Sequence, residues 1–252
     1  MDEIVAALAD QQAELTGLVT GLEEAGWQRP SRCPGWSVAD VVLHLAQTNE
    51  LALASATGRF DAVIGGLAGG FGPGSVDEGA GRMVAEQRGQ PGAAVHARWQ
   101  AGAGELLAAL RGCDPSQRLT WVAGELAART LATTRLAETW IHTGDVAVAF
   151  GDGAFPPPTD RLRPIARLAW RTLPYAFAQA GRDLAGPVAF HLKGPRGETW
   201  DLAGDDEPVT VVSGDAHELC LVAGRRSRPE ETSLRAEGPD GDAVLELVRT
   251  FA

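Results

Sequence analysis

The amino-acid sequence predicts an α+β protein in which long helices come first and a small mixed unit of strands and helices follows. Three observations carry that reading. Apolar residues recur at helical spacing through most of the first two-thirds of the chain. Pro156-Pro157-Pro158 then interrupts it with a stiff, extended connector. From Val188 onward short β-rich runs alternate with Gly, Pro and Asp turns. The expected domains are therefore residues 1–155, helical, and 159–252, small α+β.

Each element has its own signal. Ile4, Leu8, Leu15, Leu18 and Leu22 define a first helix, with Gly26 as its stop. After the loop Gln28–Trp36, Ser37 reads as the N-cap of a second helix, with Asp40 as the acidic partner of a capping box. That helix runs through Val41, His44, Leu45, Thr48 and Ala52. Residues 61–81 are dense in glycine and read as a long loop, either a lid from Gly65 to Gly81 or a surface loop. A helix is expected over Glu86–Arg111, its main part starting at Pro91, and another over Leu126–Phe150. Thr159 would cap a helix reaching Ala180. Val188–Leu192, Glu198–Leu202, Val209–Val212 and Ser233–Ala236 read as strands, with helices at Ala216–Ala223 and Asp240–Phe251.

Composition removes several classes of function. Of 252 residues, 44% are hydrophobic and 22% charged, the balance of a folded globular chain. The net charge of −11 argues against nucleic acid as a partner, since phosphate binding needs clustered positive charge. No apolar run is long enough to span a membrane, and the first residues lack a leader pattern, so a cytoplasmic location is expected. Cys33, Cys113 and Cys220 are odd in number and far apart, which fits reduced thiols. Lys193 is the only lysine, and with abundant Ala and Gly this points to a GC-rich coding genome such as that of an actinobacterium.

The segment Arg135–Asp145 is the most informative. Arg135, Glu138, His142 and Asp145 follow at steps of three, four and three and so share one helix face. Such a stripe is often just solvated surface. Here, however, Leu136, Trp140, Ile141, Val146, Val148 and Phe150 make the rest of the helix apolar, so the stripe should face an interior. His44 stands on another apolar helix face. Together His44, Glu138 and His142 supply two imidazoles and one carboxylate, the ligand set of a catalytic divalent-metal site with an open position. Zinc is the default metal for such donors, with nickel, iron or cobalt as alternatives. Asp145 is a candidate to orient His142 or bind a bridging water. Arg135 is a candidate to neutralise Glu138 or anchor an anionic substrate, and both are candidate catalytic residues beside the reading of a structural ion pair. Trp36 and Trp140 read as core packing. His96, His191 and His217 have no matching partners, and Asn49 and Glu50 follow His44 too closely to share its face.

These residues also carry a resemblance. Cys33-Pro34-Gly35-Trp36-Ser37-Val38-Ala39-Asp40-Val41-Val42-Leu43-His44-Leu45 resembles the signature of the mycothiol-dependent maleylpyruvate isomerase N-terminal domain, one of the DinB-like metal-binding four-helix bundles. Glu138-Thr139-Trp140-Ile141-His142-Thr143-Gly144-Asp145-Val146 is similar to that family's second metal motif. The resemblance implies a metal held by His44, Glu138 and His142, a sterol-carrier-like C-terminal domain, and mycothiol as the thiol cosubstrate. It also implies a C-terminal catalytic arginine. Arg225, Arg226 and Arg228 lie in the corresponding segment, where a polar loop after a helix would explain them equally well.

The expected chemistry is therefore thiol-dependent. A metal-activated thiol would add to an activated alkene or open an epoxide of a small electrophile; departure of the thiol gives isomerisation, its retention gives S-transfer. Two other readings stay open. One is a thiol-independent metal hydrolase, lyase or cyclase using bound water or Lewis-acid activation. The other is a non-catalytic protein that binds a small molecule.

Overall fold

The structure is a computed structural model that describes residues 1–66, 76–122, 124–151 and 155–250. The chain divides into two compact units, Met1–Pro156 and Pro157–Ala252.

The first unit contains α1 (Asp2–Val19), α2 (Glu24–Trp27), α3 (Val38–Ala56), α4 (Phe60–Gly66), α5 (Val76–Gln87) and α6 (Gly92–Gly112). A hairpin of β1 (Arg118–Trp121) and β2 (Gly124–Ala127) leads into α7 (Ala128–Ala147). The four long helices make a bundle in which α3 lies against α6 and α7, and α1 against α7 and α6. α1 buries Val5, Leu8, Leu15 and Val19, an apolar stripe at helical spacing. α3 and α7 are buried on nearly every side, the condition that turns their polar residues inward. Ser37 caps α3 as expected: its hydroxyl accepts from the Asp40 N–H, and the Asp40 carboxylate accepts from the Ser37 N–H.

Several boundaries differ from the sequence expectation. The helix expected to begin at Leu126 begins at Ala128, because Leu126 instead faces Leu119 in the β1–β2 ladder. It ends at Ala147 rather than Phe150. The helix expected from Glu86 is broken before Gly92, where Gly89 takes φ +88° and Pro91 occupies the N-cap of α6. The glycine-dense stretch 61–81 is helical on both flanks. Phe60 anchors α4 against Trp121, with ring centroids 5.8 Å apart, and Val84 inserts α5 into the core, which outweighs the poor helix propensity of glycine. The remainder of the expected loop, 67–75, lies outside the described residues.

The second unit opens with α8 (Leu162–Arg171) and α9 (Leu173–Gln179). They replace a single expected helix; Pro174 has no N–H to continue the hydrogen-bond ladder of α8, so the helix breaks at Thr172 and Pro174 takes up the first turn of α9. The strands β3 (Val188–Lys193), β4 (Thr199–Leu202), β5 (Thr210–Asp215) and β6 (Arg235–Glu237) form a sheet of order β4-β3-β5-β6. β3 and β5 are parallel and the two outer pairs antiparallel. Between β5 and β6 lies α10 (Ala216–Ala223), whose N-cap Asp215 accepts from the His217 and Glu218 N–H groups at 2.8 and 3.1 Å. α11 (Gly241–Leu247) closes the unit and is shorter than expected. Phe190 and Leu192 point from β3 into this core, where Cys220 is also fully buried.

Candidate metal centre

α3 and α7 bring His44, Glu138 and His142 together: one donor atom from each lies within 4.8 Å of the other two. His44 Nε2 is 3.1 Å from Glu138 Oε2, and His142 Nε2 is 3.7 Å from the same oxygen. The imidazole rings meet edge to face with centroids 4.9 Å apart. Two donors on one tetrahedral zinc stand about 3.3 Å apart, given bonds of about 2.0–2.1 Å, so these separations suit a shared cation. The donor set of two imidazoles and a carboxylate fits a divalent ion as well.

The supporting groups lie deeper than the donors. His44, Glu138 and His142 keep 7–8% of their surface exposed, whereas Arg135 keeps 2% and Asp145 none. Arg135 and Asp145 thus lie deeper than the three donors. Asp145 Oδ2 lies 2.9 Å from His142 Nδ1, which fixes the tautomer with its free nitrogen, Nε2, toward Glu138. Arg135 places NH1 3.9 Å from Glu138 Oε2 and donates through Nε to Asn49 Oδ1 at 3.2 Å and through NH2 to Thr48 Oγ1 at 2.9 Å. Asn49, excluded by the sequence reading, is therefore part of this support: five positions beyond His44 it turns toward α7 and meets Arg135. Glu50 does face away, forming a two-pronged pair with Arg98 at 2.6 and 2.8 Å.

The charges follow from this packing. Burial pushes the Glu138 carboxyl up, but the His44 hydrogen bond and the charges of His142 and Arg135 outweigh it and hold the group at about 2. Burial pushes His142 down, yet Asp145, Cys33 and Glu138 raise it to about 10. His44 is lowered, chiefly by burial. Without a cation the cluster holds ionised Glu138, protonated His142 and neutral His44. His44 Nδ1 is buried and finds no hydrogen-bond partner among the described residues.

Cys33 is the residue that sequence reasoning missed. Its Sγ lies 3.2 Å from Asp145 Oδ2 and 3.9 Å from His142 Nδ1, and Cys33, His142 and Asp145 form a second group of mutually close donors. Trp36, expected in the core, is only partly buried and also sets its ring 5.4 Å from that of His44. Trp140 is buried as expected and packs against Phe155. His96 lies between Trp27 and Trp99, and His191 pairs across the sheet with Asp201 at 2.7 Å.

The C-terminal arginines sit in the second unit, where Arg225, Arg226, Arg228 and Arg249 border a cavity of about 690 Å³. Arg225 has φ +58°, the left-handed residue of a Schellman stop to α10: its N–H donates to Val222 O and that of Arg226 to Leu221 O. Arg228 pairs with Glu231 at 2.9 Å.

A helical bundle with a buried two-histidine, one-carboxylate cluster, followed by an α+β unit, defines the class of protein. The model of the mycothiol maleylpyruvate isomerase N-terminal domain matches residues 8–147. The chain belongs to that family. It is 32% identical over 250 residues to the uncharacterized proteins MT0041 and Rv0036c of Mycobacterium tuberculosis, covering 98% of this chain and 95% of each relative. The fold matches the crystal structure of the mycothiol-dependent maleylpyruvate isomerase with a TM-score of 0.60 at 18% identity, covering 95% of both chains. A histidine-to-alanine mutant of that isomerase matches equally well.

Proposed function

We propose that the protein is a divalent-metal-dependent enzyme acting on an electrophilic small molecule with a low-molecular-weight thiol, mycothiol, in isomerisation or S-transfer. The observation that carries this reading is the convergence of His44, Glu138 and His142 on one point between α3 and α7. Zinc suits these donors best, with nickel, iron and cobalt as alternatives. Membership of a family named for a mycothiol-linked isomerase supports the thiol and the reaction class.

A divalent cation at this point supplies Lewis acidity, which lowers the pKa of a thiol that reaches it and polarises an oxygen of the electrophile. The chain's residues prepare the place. Asp145 keeps the His142 proton on Nδ1, so that Nε2 is the free donor. For His44 to donate through Nε2, its proton must sit on Nδ1, the atom without a partner. Glu138 is ionised well below neutrality and offers a carboxylate oxygen to both rings' side of the site. Arg135, anchored by Asn49 and Thr48, holds that carboxylate in place from the buried side.

The test is metal analysis of the purified protein followed by assays with maleylpyruvate and other activated cis-alkenes, with and without mycothiol. Turnover is expected only with cation and thiol together, and His142→Ala should abolish both cation binding and turnover. Equal turnover without thiol would overturn the thiol-dependent mechanism. Full turnover in His142→Ala would overturn the metal reading.

A further inference from the structure

Cys33-Pro34-Gly35-Trp36 has the signature of a type II β-turn. Proline stands at the second position, glycine at the third with φ +75°, and the Trp36 N–H donates to Cys33 O at 3.0 Å. The turn is pinned from within: Ser31 Oγ accepts from the Cys33 N–H at 3.1 Å and donates to Trp36 O at 2.9 Å, and Pro30 and Ser37 form an antiparallel bridge. Ser37 then caps α3, the helix of His44. At its other side the loop is tied to the end of α7, the helix of His142: the Arg32 N–H donates to Asp145 O at 3.1 Å, and the Arg29 guanidinium donates to Ala149 O at 3.1 Å. One short rigid segment therefore joins the two helices whose imidazoles must converge.

The two ends of the turn each face one of those imidazoles. Cys33 Sγ–H donates to Asp145 Oδ2 at 3.2 Å, and the same oxygen lies 2.9 Å from His142 Nδ1. Trp36 packs against His44 with ring centroids 5.4 Å apart at 53°. A turn whose ends lie within about 7 Å of each other thus matches two rings whose centroids are 4.9 Å apart. We propose that the Cys33–Trp36 turn is a positioning element of the cation site, in which Cys33 fixes His142 through Asp145 and Trp36 fixes the ring of His44. This rests on the cation reading of the preceding section and assigns Cys33 an orienting role.

Zinc affinity measured by competition with a chromophoric chelator, together with the visible absorption of the cobalt-loaded protein, tests it. Cys33→Ala should weaken zinc binding about tenfold, the usual loss when a group behind a ligand is removed, and should alter the cobalt bands. Cys33→Ser keeps a donor and should restore most of the affinity and the wild-type bands. Because Cys33 reaches His142 chiefly through Asp145, most of the cost of Cys33→Ala should vanish once Asp145→Asn is present. Trp36→Leu, acting on the other imidazole, should add to Cys33→Ala. Cys113→Ala, at the far end of α6, serves as the control and should leave zinc affinity unchanged. Wild-type affinity and bands in Cys33→Ala, or full additivity with Asp145→Asn, would overturn the proposal. A wild-type protein that binds neither ion would sink the cation reading itself, and that result is visible before any substitution is made.

Discussion

Glu138, His142 and His44 occupy one buried cluster, yet their protons respond to packing in different directions, and each direction has a consequence for stability. Glu138 is held at about 2 against 4.5 when free, so it contributes stability above that free value and loses it as pH falls toward 2. His142 is raised from 6.5 to about 10, so its contribution is complete below 6.5 and is lost as pH rises toward 10. His44 is lowered from 6.5, so protonation favours the unfolded chain below that value. The cation-free protein should therefore be most stable near pH 6.5 and lose stability on both sides. Thermal melts in chelator across pH 4–10 check this, and the decline above neutrality should shrink in His142→Ala. A melting temperature that climbs steadily from pH 6.5 to 9 in the wild type, unchanged by that substitution, would contradict the assignment. Arg135 belongs to the same balance. It is 2% exposed and bound to Asn49 and Thr48, so Arg135→Met leaves Glu138 without its buried cation and those two groups without a donor. A loss of about 3 kcal/mol is expected, read from the urea midpoint of the cation-free protein.

At the scale of elements, the start of α3 concentrates several devices in a few residues. Ser37 and Asp40 cap reciprocally, and Asp40 also receives Arg88 at 3.0 Å. Ser37→Ala should cost about 1 kcal/mol, while Gly35→Ala should cost about 1–2 kcal/mol because alanine resists the left-handed φ of +75°. Urea unfolding separates these from wild type; no change in either would mean that the cap or the turn contributes nothing to the fold. The cap was legible in the sequence because Ser37 and Asp40 are local partners, three residues apart. α10 has signals of the same local kind: Asp215 caps it and Gly224 follows it. The β1–β2 hairpin was not. Gly124–Ala127 is made largely of good helix formers and runs directly into α7, and its strand identity comes from pairing with Arg118–Trp121. α5 was hidden in the same way, since Val84 earns its helix by insertion into a distant core.

At the scale of the molecule, the candidate site was readable to the extent that helix periodicity reports it. Glu138 and His142 share a face by spacing alone, and an apolar surround turned that face inward. His44 lies 94 positions from Glu138, and its apolar helix face and the resemblance carried by Cys33–Leu45 marked it. Cys33 escaped because its partners lie 109 and 112 positions away and a lone thiol carries no spacing pattern. A cation would couple these distant segments, and the coupling has a measurable size. An ion that binds only the folded state stabilises it by about 2.7 kcal/mol at a free concentration one hundred times its Kd. For a chain of this size that corresponds to a rise in Tm of roughly 5–10 °C. All three donors sit on α3 and α7, so hydrogen exchange should slow most along Val38–Ala56, Ala128–Ala147 and the Pro30–Ser37 loop when zinc is added to the chelated protein. His142→Ala should abolish both the rise in Tm and the slowed exchange. Slowing of the same size in wild type and His142→Ala would show that the ion binds elsewhere, and the centre between α3 and α7 would then be a charged cluster that stabilises the bundle without holding a metal.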